Sequence, residues 1–238
     1  MLTSNNTSNT SNTSIGIWPR LYCLWATISI CLAIAVAGLS DESITRILVI
    51  IFLLCQIPLR TVLVKALSWL SPKARFVVLG TLLAAVVEGF HMISKPVFLS
   101  LQITKNTSFM QGLTNYALDL IFTVPAYLVI FSVIWWFINR YEYKFWQYVF
   151  VMGLAQALGD GGIFFFITAP PMLLFLPYPM TNYHAINVIP FLAVEGNLSE
   201  NRTLSRYSYL AIAGIIGTYL VCGAIIKLFG RAFGLEPN

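Results

Sequence analysis

Four side chains able to hold or move a proton stand inside long apolar runs of this 238-residue sequence: Glu88, His91, Asp119 and Asp160. A charge at the centre of a lipid-spanning helix costs about 2.5–3.5 kcal/mol on insertion scales, so each such residue needs a functional or a pairing reason. Glu88 and His91 are three residues apart and share a helix face, while Asn115 precedes Asp119 by four and Gln156 precedes Asp160 by four. Each acid thus has a polar companion on its own helix. A carboxyl group and a histidine enclosed away from water suit a proton donor and acceptor pair. The alternative for any single acid is structural, a neutral carboxyl group hydrogen-bonded between helices. Three acids and a histidine on three successive segments argue instead for one shared cavity.

Aromatic residues surround these positions: Phe90, Tyr116, Phe122, Tyr127, Trp135, Trp136, Trp146 and Phe164 to Phe166. Trp146 and Tyr148 fit an interfacial aromatic belt. Rings that point inward can stabilise a cation. Asn115, Tyr116, Gln156 and Trp135 are the expected substrate-binding residues. Gly159, Gly161 and Gly162 flank Asp160 and either admit a close neighbour or mark a kink. The sequence holds no His-Glu-x-x-His, no phosphate-binding loop, no Gly-x-Ser-x-Gly and no Gly-x-Gly-x-x-Gly. With His91 and His184 the only histidines, a multi-histidine metal or di-haem site is excluded.

The elements that must position these residues are membrane helices. Hydrophobic residues make up 58% of the chain and charged residues 10%, against about 25% charged in an average soluble domain. A soluble fold could not hide so much apolar surface, whereas lipid removes the need. Lipid offers no partner to an open backbone, so the spans must be helical, with about 20 apolar residues each. Six segments qualify, near 21–39, 46–69, 76–97, 116–138, 145–168 and 206–229, with five to seven spans admissible. The expected fold is an all-α polytopic transmembrane bundle. Residues 1–18 read as a Ser/Thr/Asn-rich disordered tail, 19–231 as one helical domain and 232–238 as a short C-terminal tail. The tail itself holds no Lys or Arg, so it does not read as a signal peptide. Residues 172–196, punctuated by Pro177, Pro179 and Pro190, read as an interfacial or re-entrant excursion.

The net charge of +5 comes from basic residues at helix ends and in loops. No basic stripe is interleaved with stacking aromatics, which argues against nucleic-acid binding. With six spans, Arg20, Lys65, Lys73, Arg75, Arg140, Lys144, Lys227 and Arg231 share one side, so both termini are expected in the cytoplasm. The glycosylation-type matches at Asn106, Asn197 and Asn201 fall on the other side. The scattered Cys23, Cys31, Cys55 and Cys222 read as small core residues rather than disulfides or ligands. Gly214, Gly217 and Gly223 permit close helix packing, compatible with a homodimer.

Val87-Glu88-Gly89-Phe90 resembles the Glu-Gly step of the emopamil-binding protein (EXPERA) family, which includes sterol Δ8–Δ7 isomerase and the sigma-2 receptor. Asp119 and Pro125 follow, and Gln156-Ala157-Leu158-Gly159-Asp160 is similar to that family's Gln-x-x-Gly-Asp step. The resemblance covers about residues 76–168. It implies a membrane-embedded pocket in which acids and a histidine shift a ring double bond through a carbocation, with no cofactor. Glu88 matches the Glu-Gly acid, Asp119 a family Glu, and Asp160 the Gly-Asp acid. His91 follows its Glu where the family histidine precedes it. The late family Asn before Trp and Pro is echoed only by Asn187 and Pro190. The expected function is therefore proton transfer on a sterol-like or isoprenoid lipid. Glu88 and His91 would supply or hold a proton, Asp119 would accept one or stabilise the cation, and Asp160 would orient the site through Gln156. A lipid or amine receptor and a small proton-coupled transporter are the alternatives.

Overall fold

In the computed structural model residues 16–235 are described; the expected disordered tail up to residue 15 and the end of the C-terminal tail, 236–238, lie outside them. The helices are α1 (Ile17–Ala37), α2 (Asp41–Ala66), α3 (Pro72–His91), α4 (Phe109–Arg140), α5 (Phe145–Ala157), α6 (Ile163–Thr168), α7 (Pro177–Val194) and α8 (Leu210–Ala232). A π turn, Leu158–Gly162, joins α5 to α6 as one kinked span. Six of these stretches are long and apolar enough to cross a membrane, and the protein is an integral multi-pass helical bundle. Ile17 and Trp18, assigned to the tail from sequence, already belong to α1, and α4 begins at Phe109, ahead of the span expected near 116–138.

The starts of the helices follow from local chemistry. Ser40, Ser71 and Ser108 each accept a backbone N–H from the first turn that follows, at Ser43, Ala74 and Gln111. Such caps satisfy donors that the first turn cannot pair internally. Pro72 and Pro177 stand in first turns, where a missing N–H loses no helix bond.

The main correction concerns 172–196. Only Pro170–Phe175 is an irregular connection; Pro177–Val194 is a helix of 18 residues, about 27 Å long at 1.5 Å per residue. It is packed against α1, α2, α3 and α5 at the centre of the bundle. A helix surrounded by protein need not be as apolar as one facing lipid. Thr181, Asn182, Tyr183, His184 and Asn187 all find partners inside the bundle, which is why hydropathy and the prolines disguise this element.

The helix α7 runs antiparallel to α3: Arg75 at the start of α3 donates to the Ala193 carbonyl, while His91 at its end meets Asn182. Seven transverse elements therefore alternate in direction, and Gly16 and Leu235 lie at opposite ends. At the near end, with Gly16, Tyr143 reaches the Ser208 carbonyl. At the far end, with Leu235, Thr45 bonds Ser94, and Phe98 lies over Gly230. The expectation that both termini are cytoplasmic rests on six crossings, the number of helices long and apolar enough to span, with α7 a further inner helix. Asn106 sits at the opposite end of the bundle from Asn197 and Asn201.

Helix contacts are knobs of aromatic side chain against small residues. Phe131 of α4 seats on Gly80 of α3, and Phe137 on Gly214 of α8. Two further readings are corrected. Cys23, Cys31 and Cys55 are exposed on the outside of the bundle, where lipid accepts a small apolar thiol as readily as a core does. Tyr148 is fully buried and stacks on Phe191 at 4.0 Å, so it is no belt residue.

Candidate functional site

Glu88 lies one turn before the end of α3, and Tyr127, from the middle of α4, donates to its Oε1 at 2.5 Å. Asp160 lies in the π turn, and Tyr183 of α7 donates to its Oδ2 at 2.6 Å. Both acids thus carry a phenol from a different helix. Tyr219 of α8 completes the group; its hydroxyl donates to Gln156 Oε1 at 3.0 Å, and its ring meets Tyr183 edge-on at 6.2 Å. The two carboxyl groups lie within electrostatic range of each other and of all three phenols. Five helical elements converge here, in the half of the bundle nearer the far end.

The backbone around Asp160 is built for this. Asp160 has ψ +37° and Gly161 has φ +90°, a left-handed conformation that glycine adopts without steric penalty. A Cβ on Gly162 would run into the Ala157 carbonyl, and one on Gly159 would press on Tyr219. Both sequence readings of these glycines hold at different positions: Gly161 and Gly162 make the kink, and Gly159 admits a neighbour. π bulges recur at functional sites because they re-aim a side chain within a spanning helix.

Tyr183, Tyr219 and Gln156 are buried, Glu88 and Tyr127 half-buried, and Asp160 exposed. The two acids therefore stand at the edge of a buried polar cluster of tyrosines and Gln156. Two apolar surface grooves, about 380 and 340 Å³, run between α4 and α8 and between α2 and α3. Neither is lined by Glu88, Asp119 or Asp160.

The remaining expected site residues divide. Asp119 is fully buried and within electrostatic range of Glu88, but its Oδ1 accepts the Val97 N–H at 3.0 Å, and its Oδ2 has no partner. It fastens the far-end loop. His91 does not meet Glu88; its Nε2 pairs with Asn182 at 2.9 Å, on the side facing α7. Asn115 donates to the Leu101 carbonyl rather than to Asp119. Tyr116 donates to the Ala85 carbonyl and lies against Gly89. Gln156 belongs to the cluster through Tyr219, so Asp160 is oriented by Tyr183 and not, as expected, by Gln156. Trp135 packs on Phe76 at the opposite end of α3, about 18 Å from Glu88 along the axis at 1.5 Å per residue. It takes no part.

Tyr183 and Tyr219 were missed. The Tyr183/Asn187 pair, four apart in an otherwise apolar stretch, was the available sign of an inward helix face. No group of three or more His, Cys, Asp or Glu side chains among the described residues is placed to hold a metal ion. Comparison with protein-family models, curated proteins and solved structures found no match to this chain.

Proposed function

We propose that this membrane protein moves a proton within a hydrophobic, lipid-like substrate, as a cofactor-independent double-bond isomerase of sterol-like or isoprenoid lipids. The observation that carries the reading is the facing pair of carboxyl–phenol units, Glu88–Tyr127 and Asp160–Tyr183. Isomerisation needs an acid and a base on one substrate at once. Protonated Glu88 delivers its proton to one alkene carbon, the neighbouring carbon becomes cationic, and carboxylate Asp160 removes a proton from the next carbon. The double bond moves one position, and the substrate neither gains nor loses atoms. The phenol rings face the transient cation, where their π electrons are stabilising. Asp160 releases the proton it has gained to water, and Glu88 takes a new one from water by way of the tyrosine hydroxyls, before the next cycle. The resemblance of Glu88-Gly89 and of Gln156 to Asp160 to EXPERA sequences supports the same reading.

A non-catalytic receptor for a lipid or amine would use the same cluster of acids and phenols. Deuterium separates the two. The protein is reconstituted in liposomes in D2O with a Δ8 sterol or a polyprenoid. An isomerase places one deuterium in each shifted molecule, and Glu88→Gln or Asp160→Asn lowers that rate by about 10²-fold or more, the usual contribution of a general acid or base. Retention of the lipid with no shifted double bond and no deuterium leaves the receptor reading in its place.

A further inference from the structure

A second polar cluster lies one turn farther toward the far end and takes no part in the proton chemistry. Arg46 of α2 is 4% exposed. Its Nη1 donates to Asn182 Oδ1, and its guanidinium lies 4.3 Å from the centre of the Tyr178 ring. Its Nε is buried and has no partner. Arginine stays protonated, so this is a buried cation. Among the described residues no carboxylate approaches it within salt-bridge distance; Glu42, one turn earlier on α2, acts on it only at longer range. An uncompensated buried charge is expensive and is retained where something pairs it.

Asn182 and Tyr178 accept from it, and the groups beyond them are donors. Asn182 gives its oxygen to Arg46, so its amide N–H faces His91 Nε2. That arrangement assigns the imidazole proton to Nδ1, which leaves His91 presenting an N–H away from Asn182. Lys95, exposed one turn beyond His91, adds a cation within electrostatic range of the imidazole. The acidic groups in range are Glu42 of Arg46 and Asp160 of Lys95.

We propose that Arg46, His91 and Lys95 bind an oxyanion, the phosphodiester of an amphiphile whose head carries no cation of its own, with Asn182 as the positioning residue. Arg46 supplies the planar fork that matches such oxygens. A buried guanidinium near the far-end boundary of the bundle suits a lipid head, whose chains lie along the neighbouring apolar helices.

The test uses the full chain in detergent after delipidation, with native mass spectrometry and thermal unfolding as readouts. The probes are phosphatidylglycerol, phosphatidylcholine and inorganic phosphate. Phosphatidylglycerol should be retained about fivefold or more over phosphatidylcholine, the effect of roughly 1 kcal/mol per basic residue. Arg46→Gln should remove that preference, and Lys95→Gln should reduce it. Stabilisation by phosphate alone that is lost in Arg46→Gln identifies a soluble anion as the ligand; a response confined to phosphatidylglycerol identifies a lipid head. Equal retention of the two lipids with no Arg46-dependent phosphate effect overturns the inference. Should Arg46→Gln fail to fold, Lys95→Gln decides, because its side chain is exposed, and an undiminished preference in that variant is equally fatal. Turnover is not measured, so the outcome is independent of the isomerase reading.

Discussion

Removing one hydroxyl group, by Tyr127→Phe, tests the geometry of the acid site directly. The change keeps the ring that packs near Phe131 and deletes only the donor to Glu88 Oε1. An acceptor left unpaired in a protein interior costs about 1–3 kcal/mol. Interhelical polar contacts in lipid average about 0.6 kcal/mol and reach about 1.7, because a separated helix finds other partners. The Tyr127 pair is short, links α3 to α4 and involves a carboxyl group, so about 1–2 kcal/mol is expected. The same substitution in a Glu88→Leu background has no acceptor to orphan and should be nearly neutral. The difference between the two penalties is the coupling energy, again about 1–2 kcal/mol. Reversible unfolding in mixed micelles, or steric trapping in bicelles, measures all four corners. A Tyr127→Phe penalty under about 0.3 kcal/mol, or equal penalties in both backgrounds, would refute a Glu88–Tyr127 bond; that figure is the additivity error of independent sites.

Other perturbations probe the rest of the structure. Cysteine-accessibility labelling should place a C-terminal tag outside and an N-terminal tag in the cytoplasm, since Arg20, Lys65, Lys73, Arg75, Arg140 and Lys144 all lie at the near end; labelling of both tags from one side would sink the seven-helix arrangement. Gly80→Ala would put a methyl group about 2.5 Å from the Phe131 ring, and overpacking of this kind lowers stability by about 1–3 kcal/mol in the same unfolding assay. Asp119→Asn keeps an oxygen for the Val97 N–H and should be nearly silent in thermal stability, whereas Asp119→Ala should lose about 1–2 kcal/mol; equal losses would show that the carboxyl group does more than hold the loop. Trp135→Leu should lower stability through lost packing on Phe76 yet leave lipid retention unchanged, and altered retention would return Trp135 to the site.

The amino-acid sequence by itself determined the solvent of this protein and most of its elements. Six apolar runs of spanning length admit no other environment, and the caps at Ser40, Ser71 and Ser108 lie next to them in the chain. It also singled out Glu88 and Asp160, because an acid in such a run is too costly to be incidental. Tertiary structure decided what accompanies them. Tyr127, Tyr183 and Tyr219 come from three helices far apart in the chain, and no spacing rule connects them. The helix α7 was illegible for a related reason: an inner helix answers to its protein neighbours rather than to lipid, so Asn182, Tyr183 and Asn187 replace the apolar residues by which spans are recognised. As a seventh helix it puts Leu235 at the opposite end of the bundle from Gly16. The partner of His91 was decided in the same way. Periodicity set it on a face with Glu88, but a side chain bonds to whatever the adjoining helix presents, and α7 presents Asn182.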